Sequence, residues 1–274
     1  MRVPQGRSGG CPGFCHTGDT VFEDSDIAIS TGAYADLPLA AVLLVIRELA
    51  PAAEITSYGA HSLLELDNAR AVAALGVPFS VHGPFFRVDI GSTNEAKRRA
   101  GVELHRRHVS VAAALGARLY LVHPDRQRKP LPRQPAVIAA LRRSFTELRV
   151  FQDAYHVPIV VENMPFLGRS HFTAPGDLDL CGLGLGLDVG HAAVSATLPA
   201  WLELSRGALR HVHLHDNQGP AHGDQHHPLG TGVVDAAAVI AKARAAGASM
   251  VIEHKTGEDV LASLYYLRTR GLIG

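Results

Sequence analysis

The chain has 274 residues, 47% of them apolar, which suits one large domain with a sizeable core. Its 26 Lys plus Arg balance 26 Asp plus Glu, and this formal charge of zero removes any general attraction to nucleic acid or an anionic membrane. The three cysteines, Cys11, Cys15 and Cys181, are too few and too uneven for a disulfide-supported fold, and favour a reducing, cytoplasmic setting. Cys11 and Cys15 also lack the second close pair that a zinc knuckle requires.

Residues 1–25 are rich in Gly and Pro and hold no continuous apolar stretch of signal-peptide type, so they read as a flexible extension ahead of a domain over 26–274. No run of about 20 residues stays free of charges and turn signals, and even LPLAAVLLVI is stopped by Arg47 and Glu48. No membrane span is therefore expected. From Asp26 onward, short β-branched runs alternate with longer segments rich in Ala, Leu and Arg. DIAIST near 26–31 predicts a first strand and 38–49 its helix. EITSY (54–58) predicts a second strand, with a helix over 61–76. FSVHG (79–83) leads into helical periodicity over 93–115, and RLYLVHP (118–124) into 134–155. PIVVEN (158–163), LGLGLDV (183–189), LRHVHLHD (209–216) and SMVIEHK (249–255) predict the remaining strands. Helical stretches follow at 198–206, 234–246 and 258–269.

Eight strands alternating with helices is the number that closes a single (β/α)8 TIM barrel. A doubly wound sheet would gather its ligand groups at one switch point, and no Gly-x-Gly-x-x-Gly follows the first strand here; the glycines of CGLGLG precede or lie within the sixth.

In such a barrel the C-terminal strand ends share one mouth, so residues distant in sequence converge. Seven segments place a histidine or carboxylate at that point or just beyond: His82; His123; Glu162; Asp188 with His191; His213; Asp224 with His226; and Glu253. Five imidazoles and four carboxylates without a thiolate suit Zn²⁺, with Mn²⁺ as the alternative. One ion uses about three or four ligands, so nine point to two or three divalent ions. The glycines in HGDQHHPLGTG permit the tight turns that would bring Asp224 and His226 to one centre.

These motifs resemble the xylose isomerase-like TIM-barrel superfamily, which includes sugar phosphate isomerases and epimerases and the endonuclease IV-like proteins of AP endonuclease family 2. The resemblance runs over about residues 26–270 and rests on VHGP, VHPD, VENM, DVGH, VHLHD, DQHHPLG and VIEHK. It implies a nine-ligand trinuclear zinc centre in the endonuclease branch, with Glu162 shared between ions, and a smaller core of Glu162, Asp188, His213 and Glu253 in isomerase relatives. The chain departs from the endonuclease pattern in three places. It reads ENMPFLG where ENTAGQG is typical, HLHDN with Asn217 where a lysine follows HLND, and HGPFFRVDI without the Asn-Leu pair. ENMP, DVGHA and HLHDN are closer to the isomerase and epimerase members.

Two chemistries follow. In an isomerase or epimerase, Glu162 and Glu253 are the opposed carboxylates for proton transfer next to a carbonyl, with His215 or Lys255 binding or polarising a small sugar or sugar phosphate. In an endonuclease IV-like phosphodiester hydrolase, the ions would generate hydroxide and stabilise the leaving alkoxide of abasic DNA. A duplex also needs a broad basic surface, for which Arg126, Arg128, Lys129 and Arg133 form one short run. The neutral overall charge and the mouth motifs favour the sugar. A metal-supported binding protein without activity is the third possibility.

Overall fold

A computed structural model describes residues 27–125, 134–165, 170–204 and 207–274. The N-terminal extension with Cys11 and Cys15, and the basic run Arg126 to Arg133, lie outside the described residues.

Eight parallel strands close into a barrel in chain order. They are β1 (Ile27–Ser30), β2 (Ala53–Thr56), β3 (Phe79–His82), β4 (Tyr120–Val122), β5 (Ile159–Glu162), β6 (Gly184–Asp188), β7 (Leu209–Leu214) and β8 (Ser249–Ile252). The helices are α1 (Leu39–Leu49), α2 (Leu66–Ala73), α3 (Glu95–Ala114), α4 (Pro135–Tyr155), α5 (Val189–Val194), α6 (Leu198–Leu202), α7 (Ala236–Ala246) and α8 (Gly257–Thr269). The protein is thus a single (β/α)8 TIM barrel, and no described helix is long and apolar enough to cross a membrane.

The strands are buried on both faces, so polarity within each reports which side faces the helices. Ile27, Ile29, Ile55, Tyr120, Val122, Ile159, Val161, Met250 and Ile252 join one large apolar cluster with the helices. The alternate residues form two small clusters of their own, Ala28 with Ala52 and Val251, and Leu119 with Leu121 and Val160. Period-two alternation puts the second set inside the barrel. Toward the C-terminal ends that interior turns polar: Ser30, Glu54, Ser80, His82, Glu162, Asp188, His211 and His213 are all at most 2% exposed. A barrel interior is normally filled by branched apolar side chains. This polar upper layer is where the fold gives up hydrophobic filling, and it positions the site.

Two helices differ from expectation. The predicted helix over 61–76 begins only at Leu66, because Ser57 Oγ accepts from Leu63 N at 2.9 Å and Asn68 Nδ2 donates to Ala60 O at 2.8 Å and Ser62 O at 3.0 Å, holding the preceding residues in turns. The short α5 was not expected; Asp188 ends β6 and also caps this helix, accepting from His191 N at 2.6 Å.

Candidate metal centre

The nine strand-end side chains meet at one end of the barrel. They fall into three sets, each residue offering one ligand atom within 4.8 Å of the others: His82, His123 and Glu162; Glu162, Asp188, His213 and Glu253; and His191, Asp224 and His226; His226 and Glu253 form a further such set with His215. Glu162 joins the first two. Its Oε2 stands 2.9 Å from His123 Nε2 and 3.6 Å from His82 Nε2, while Oε1 stands 3.3 Å from His213 Nδ1. Glu253 Oε2 reaches the same His213 Nδ1 at 3.2 Å.

Four of the imidazoles have one ring nitrogen anchored away from these sets. His82 Nδ1 pairs with Gly83 O at 2.9 Å, His191 Nδ1 with Asn163 O at 2.9 Å and His226 Nδ1 with Glu253 O at 3.2 Å. A carbonyl can only accept, so each of these nitrogens carries a proton, and the other ring nitrogen faces the site, where it would ligate an ion on giving up any second proton it shares with the carboxylates. His213 follows the same rule through Nε2, which donates to Glu54 Oε1 at 2.9 Å. Asn163 braces two strand ends, donating from Nδ2 to Asp188 O at 3.0 Å and accepting from Asp188 N at 2.7 Å.

Asp224 and His226 lie on the long connection between β7 and α7. His226 is held in the left-handed region at φ 57°, an unfavourable conformation for a residue with a Cβ, of order 1 kcal/mol or more, that the surroundings must enforce. His254 Nδ1 pairs with His226 O at 3.1 Å, and Asp216 fastens the residues that follow. Fully buried, it accepts from Gly230 N at 3.0 Å, Gly232 N at 2.8 Å and Val234 N at 3.0 Å, and its backbone pairs with His227 in an antiparallel bridge. A side chain on Gly232 would collide with Asn217 O, so only glycine lets the loop fold over this carboxylate.

The electrostatics call for cations. Burial alone would lower the pKa of His191, but Asp188, Asp224 and Glu162 outweigh it and hold it up at about 10. Burial likewise opposes protonation of His226, which Asp224 and Glu253 raise to about 8. Burial would raise the Glu253 carboxyl, yet His213 and His226 pull it down to about 2. His123 goes the other way, depressed by burial. Glu162 Oε2, His213 Nδ1 and Asp224 Oδ1 are buried without a hydrogen bond. Unpartnered polar atoms of this kind are costly in a protein interior. All three belong to the converging sets, so the donors fit divalent ions such as Zn²⁺ or Mn²⁺.

A cavity of about 470 Å³ opens over the centre and is lined by His82, His123, Glu162, His191, Asp224, His226 and Glu253, with Lys255 at its edge. Lys255 Nζ also donates to Asp224 O at 3.2 Å and Gln225 O at 3.1 Å. His215, expected at the substrate, does not reach the cavity. It is fully buried with Nε2 2.9 Å from both Asp188 oxygens and its ring stacked on His226 at 3.9 Å. It shares the parity of His211 and His213, but β7 stops at Leu214 and the ring settles against Asp188 instead. Gly190 permits this, since a Cβ there would overlap the His215 ring.

Glu54 was not anticipated. It lies mid-strand on β2, fully buried, and was hidden among the apolar residues of AEIT. The available signal was the charge itself: a carboxylate at an inward position of a buried strand requires partners.

Residues 48–269 match the family described as xylose isomerase-like TIM barrel. An uncharacterized protein of Methanocaldococcus jannaschii, MJ1311, is 30% identical over 207 residues, covering 70% of this chain and 69% of its own. Among solved structures, a D-tagatose 3-epimerase-like protein is 26% identical with a TM-score of 0.78, over 89% of this chain and 96% of that one. The TTHB071 protein from Thermus thermophilus, from a crystal soaked with ZnCl2, is 25% identical with a TM-score of 0.64, over 89% of this chain and 97% of that one. With the family match running over most of the barrel, the chain belongs to the xylose isomerase-like TIM barrel family.

Proposed function

We propose that the protein is a metal-dependent isomerase or epimerase of a small sugar or sugar phosphate. One observation carries this reading: Glu253 belongs to the four-residue set with Glu162, Asp188 and His213, yet its side chain stays 17% exposed while that of Glu162 is 1% exposed. The set therefore combines a deeply held carboxylate, Glu162, with one more open to a substrate, Glu253, and both line the cavity. The cavity has the size of a small-molecule pocket, and the similarity to a D-tagatose 3-epimerase-like protein points to the same substrate class.

In this reading the chain's own groups divide the work. Glu253 takes the proton from the hydroxyl-bearing carbon next to the substrate carbonyl and returns it to the former carbonyl carbon, while the proton of that hydroxyl passes to the former carbonyl oxygen, which interconverts an aldose and a ketose. For epimerisation the returning proton comes from the opposite face, and Glu162 on the facing strand β5 is the carboxylate placed there, within 4.8 Å of the Glu253 ligand oxygen. Divalent ions held by the nine residues would polarise the sugar oxygens and ease proton loss. Asp188 is oriented by His215 and by the start of α5, and Lys255 offers its ammonium to an anionic end of the substrate.

A second reading, hydrolysis of a phosphate ester such as abasic DNA, draws on the two additional sets around His82 with His123 and His191 with Asp224. Several ions side by side can clamp both the attacking and the leaving oxygen of a phosphodiester. The two readings separate in one experiment. Protein loaded with Zn²⁺ or Mn²⁺ is offered a panel of aldoses, ketoses and their phosphates, and in parallel an abasic-site duplex across a range of salt. Sugar interconversion that Glu253→Gln abolishes supports the first reading. Incision of the duplex without any sugar conversion replaces it with the second.

A further inference from the structure

Among the four anchored imidazoles, His82, His191 and His226 are tied to backbone carbonyls, whereas His213 is tied to a side chain. That side chain is Glu54, which stands one layer below the centre and is sealed from solvent. Its Oε1 accepts from His213 Nε2 at 2.9 Å, and its Oε2 accepts from Ser80 Oγ at 2.9 Å and faces His211 Nε2 at 2.8 Å. His211 is itself fixed by Ser249 Oγ at 2.6 Å from its Nδ1. Strand register builds this layer: Glu54 pairs with Ser80 across β2 and β3, and His211 with Ser249 across β7 and β8.

Glu54, His211 and His213 also lie close enough to hold an ion of their own. Both Glu54 oxygens, however, already accept hydrogen bonds, from His213 Nε2 and Ser80 Oγ, and none of the three residues lines the cavity.

We infer that Glu54 is a positioning residue, whose buried carboxylate holds the proton of His213 on Nε2 and so presents the Nδ1 lone pair to Glu162, Asp188 and Glu253. The inference rests on the metal-dependent reading above. A neutral imidazole has one proton and two nitrogens, so whichever nitrogen donates decides which one can ligate. Carboxylate partners behind a ligating histidine fix its tautomer and ring orientation and raise its basicity. Glu54 also adds a fifth negative charge directly beneath the four carboxylates of the centre, reinforcing its attraction for cations. His213 is the sole imidazole of the four-residue set, so its orientation governs that set more than the other two.

The test uses Zn²⁺ as probe with the full-length protein, competed against a chelator, in wild type, Glu54→Gln, Glu54→Met and Ser80→Ala, each checked for folding by circular dichroism. Glu54→Gln keeps an acceptor for Nε2–H but removes the charge; Glu54→Met removes both. One class of bound Zn²⁺ is expected to weaken about tenfold in Glu54→Gln and about a hundredfold in Glu54→Met, with a smaller loss in Ser80→Ala. Zn²⁺ at the His82 and His123 set should weaken far less. Nitrogen-15 spectra of the zinc-loaded wild type, which need no variant to fold, should show the His213 proton on Nε2. Equal Zn²⁺ affinity across folded variants, or a proton on Nδ1, overturns the role of Glu54 alone. A wild type that takes up no Zn²⁺ or Mn²⁺ overturns the metal reading, and this inference with it.

Discussion

The centre has a strand-held half and a loop-held half, and they are built by different means. Glu162, Asp188 and His213 are at most 1% exposed and owe their places to the register of β5, β6 and β7. Asp224 and His226 have side chains 23% and 13% exposed, on a connection that includes a left-handed residue and is fastened by the Asp216 carboxylate together with Asn217 and Lys255. Moving a strand-held group means shifting a ladder shared by eight strands. Moving a loop-held group means breaking a few hydrogen bonds. Ion binding in the two halves should therefore be separable by mutation, with the strand-held half the harder to disturb from a distance.

The largest effect is expected where the sets share a residue. Glu162→Gln preserves size but removes a charge that touches both His123 and His213, so metal occupancy and turnover should fall together, turnover by about 10²-fold or more. Elemental analysis alongside sugar conversion checks this, and unchanged values for both would remove Glu162 from the account. Asp216→Asn should strike the loop-held half alone. Weakened hydrogen bonds to a buried carboxylate cost about 1.5–3 kcal/mol, visible in denaturant unfolding. Zn²⁺ at the His191, Asp224 and His226 set should become chelator-labile while the four-residue set keeps its ion. Simultaneous loss of every ion would show that the halves are not independent.

A smaller effect should sharpen the contrast at the rim. Lys255→Met should lower kcat/KM for a phosphorylated sugar by about tenfold, roughly 1.4 kcal/mol, and leave the unphosphorylated sugar nearly unaffected. Equal losses on both substrates would make Lys255 a fastener of the Asp224 loop and not a selector of anions.

Histidines outside the centre supply the smallest test, with the opposite sign of pKa shift. Burial against the helix layer pushes the His105 imidazole down to about 3, with His108, His123 and His82 adding to it. The folded protein keeps this ring neutral while the unfolded chain protonates it near 6.5. Its contribution is thus complete above pH 6.5 and is lost as pH falls from there toward 3. His105→Gln, which retains a polar group for the Tyr120 hydroxyl, should flatten that part of the stability profile by a few kcal/mol at most, measured by unfolding at stepped pH. An unchanged slope would assign acid sensitivity to the centre alone.

The fold was legible because a buried parallel barrel writes each strand as a short β-branched run, and the eight runs survive in the structure with ends shifted by a few residues. Convergence of the nine positions was legible for the same reason, since polarity at the end of such a run has few structural uses. What escaped was set by contacts across the barrel. Glu54 gains its meaning only from His211 and His213, more than 150 residues away in sequence. His215, inside the run 209–216 expected as the seventh strand, lies one residue past the end of β7 and turns to Asp188 and His226, contacts that a linear sequence does not display. The six-residue α5 was too short to show a helical period, and its start is set by the Asp188 side chain.

The central claim is proton transfer at a sugar carbon by Glu253 within a metal-holding barrel. Its most direct measurement is deuterium incorporation from D2O, followed by NMR, into sugars and sugar phosphates incubated with Zn²⁺- or Mn²⁺-loaded protein. The account predicts deuterium at the carbon next to the carbonyl of at least one substrate, reduced about 10²- to 10⁴-fold in Glu253→Gln and abolished by chelation. Metal-replete protein that exchanges no carbon-bound proton in any sugar, yet hydrolyses a phosphate ester, would contradict it.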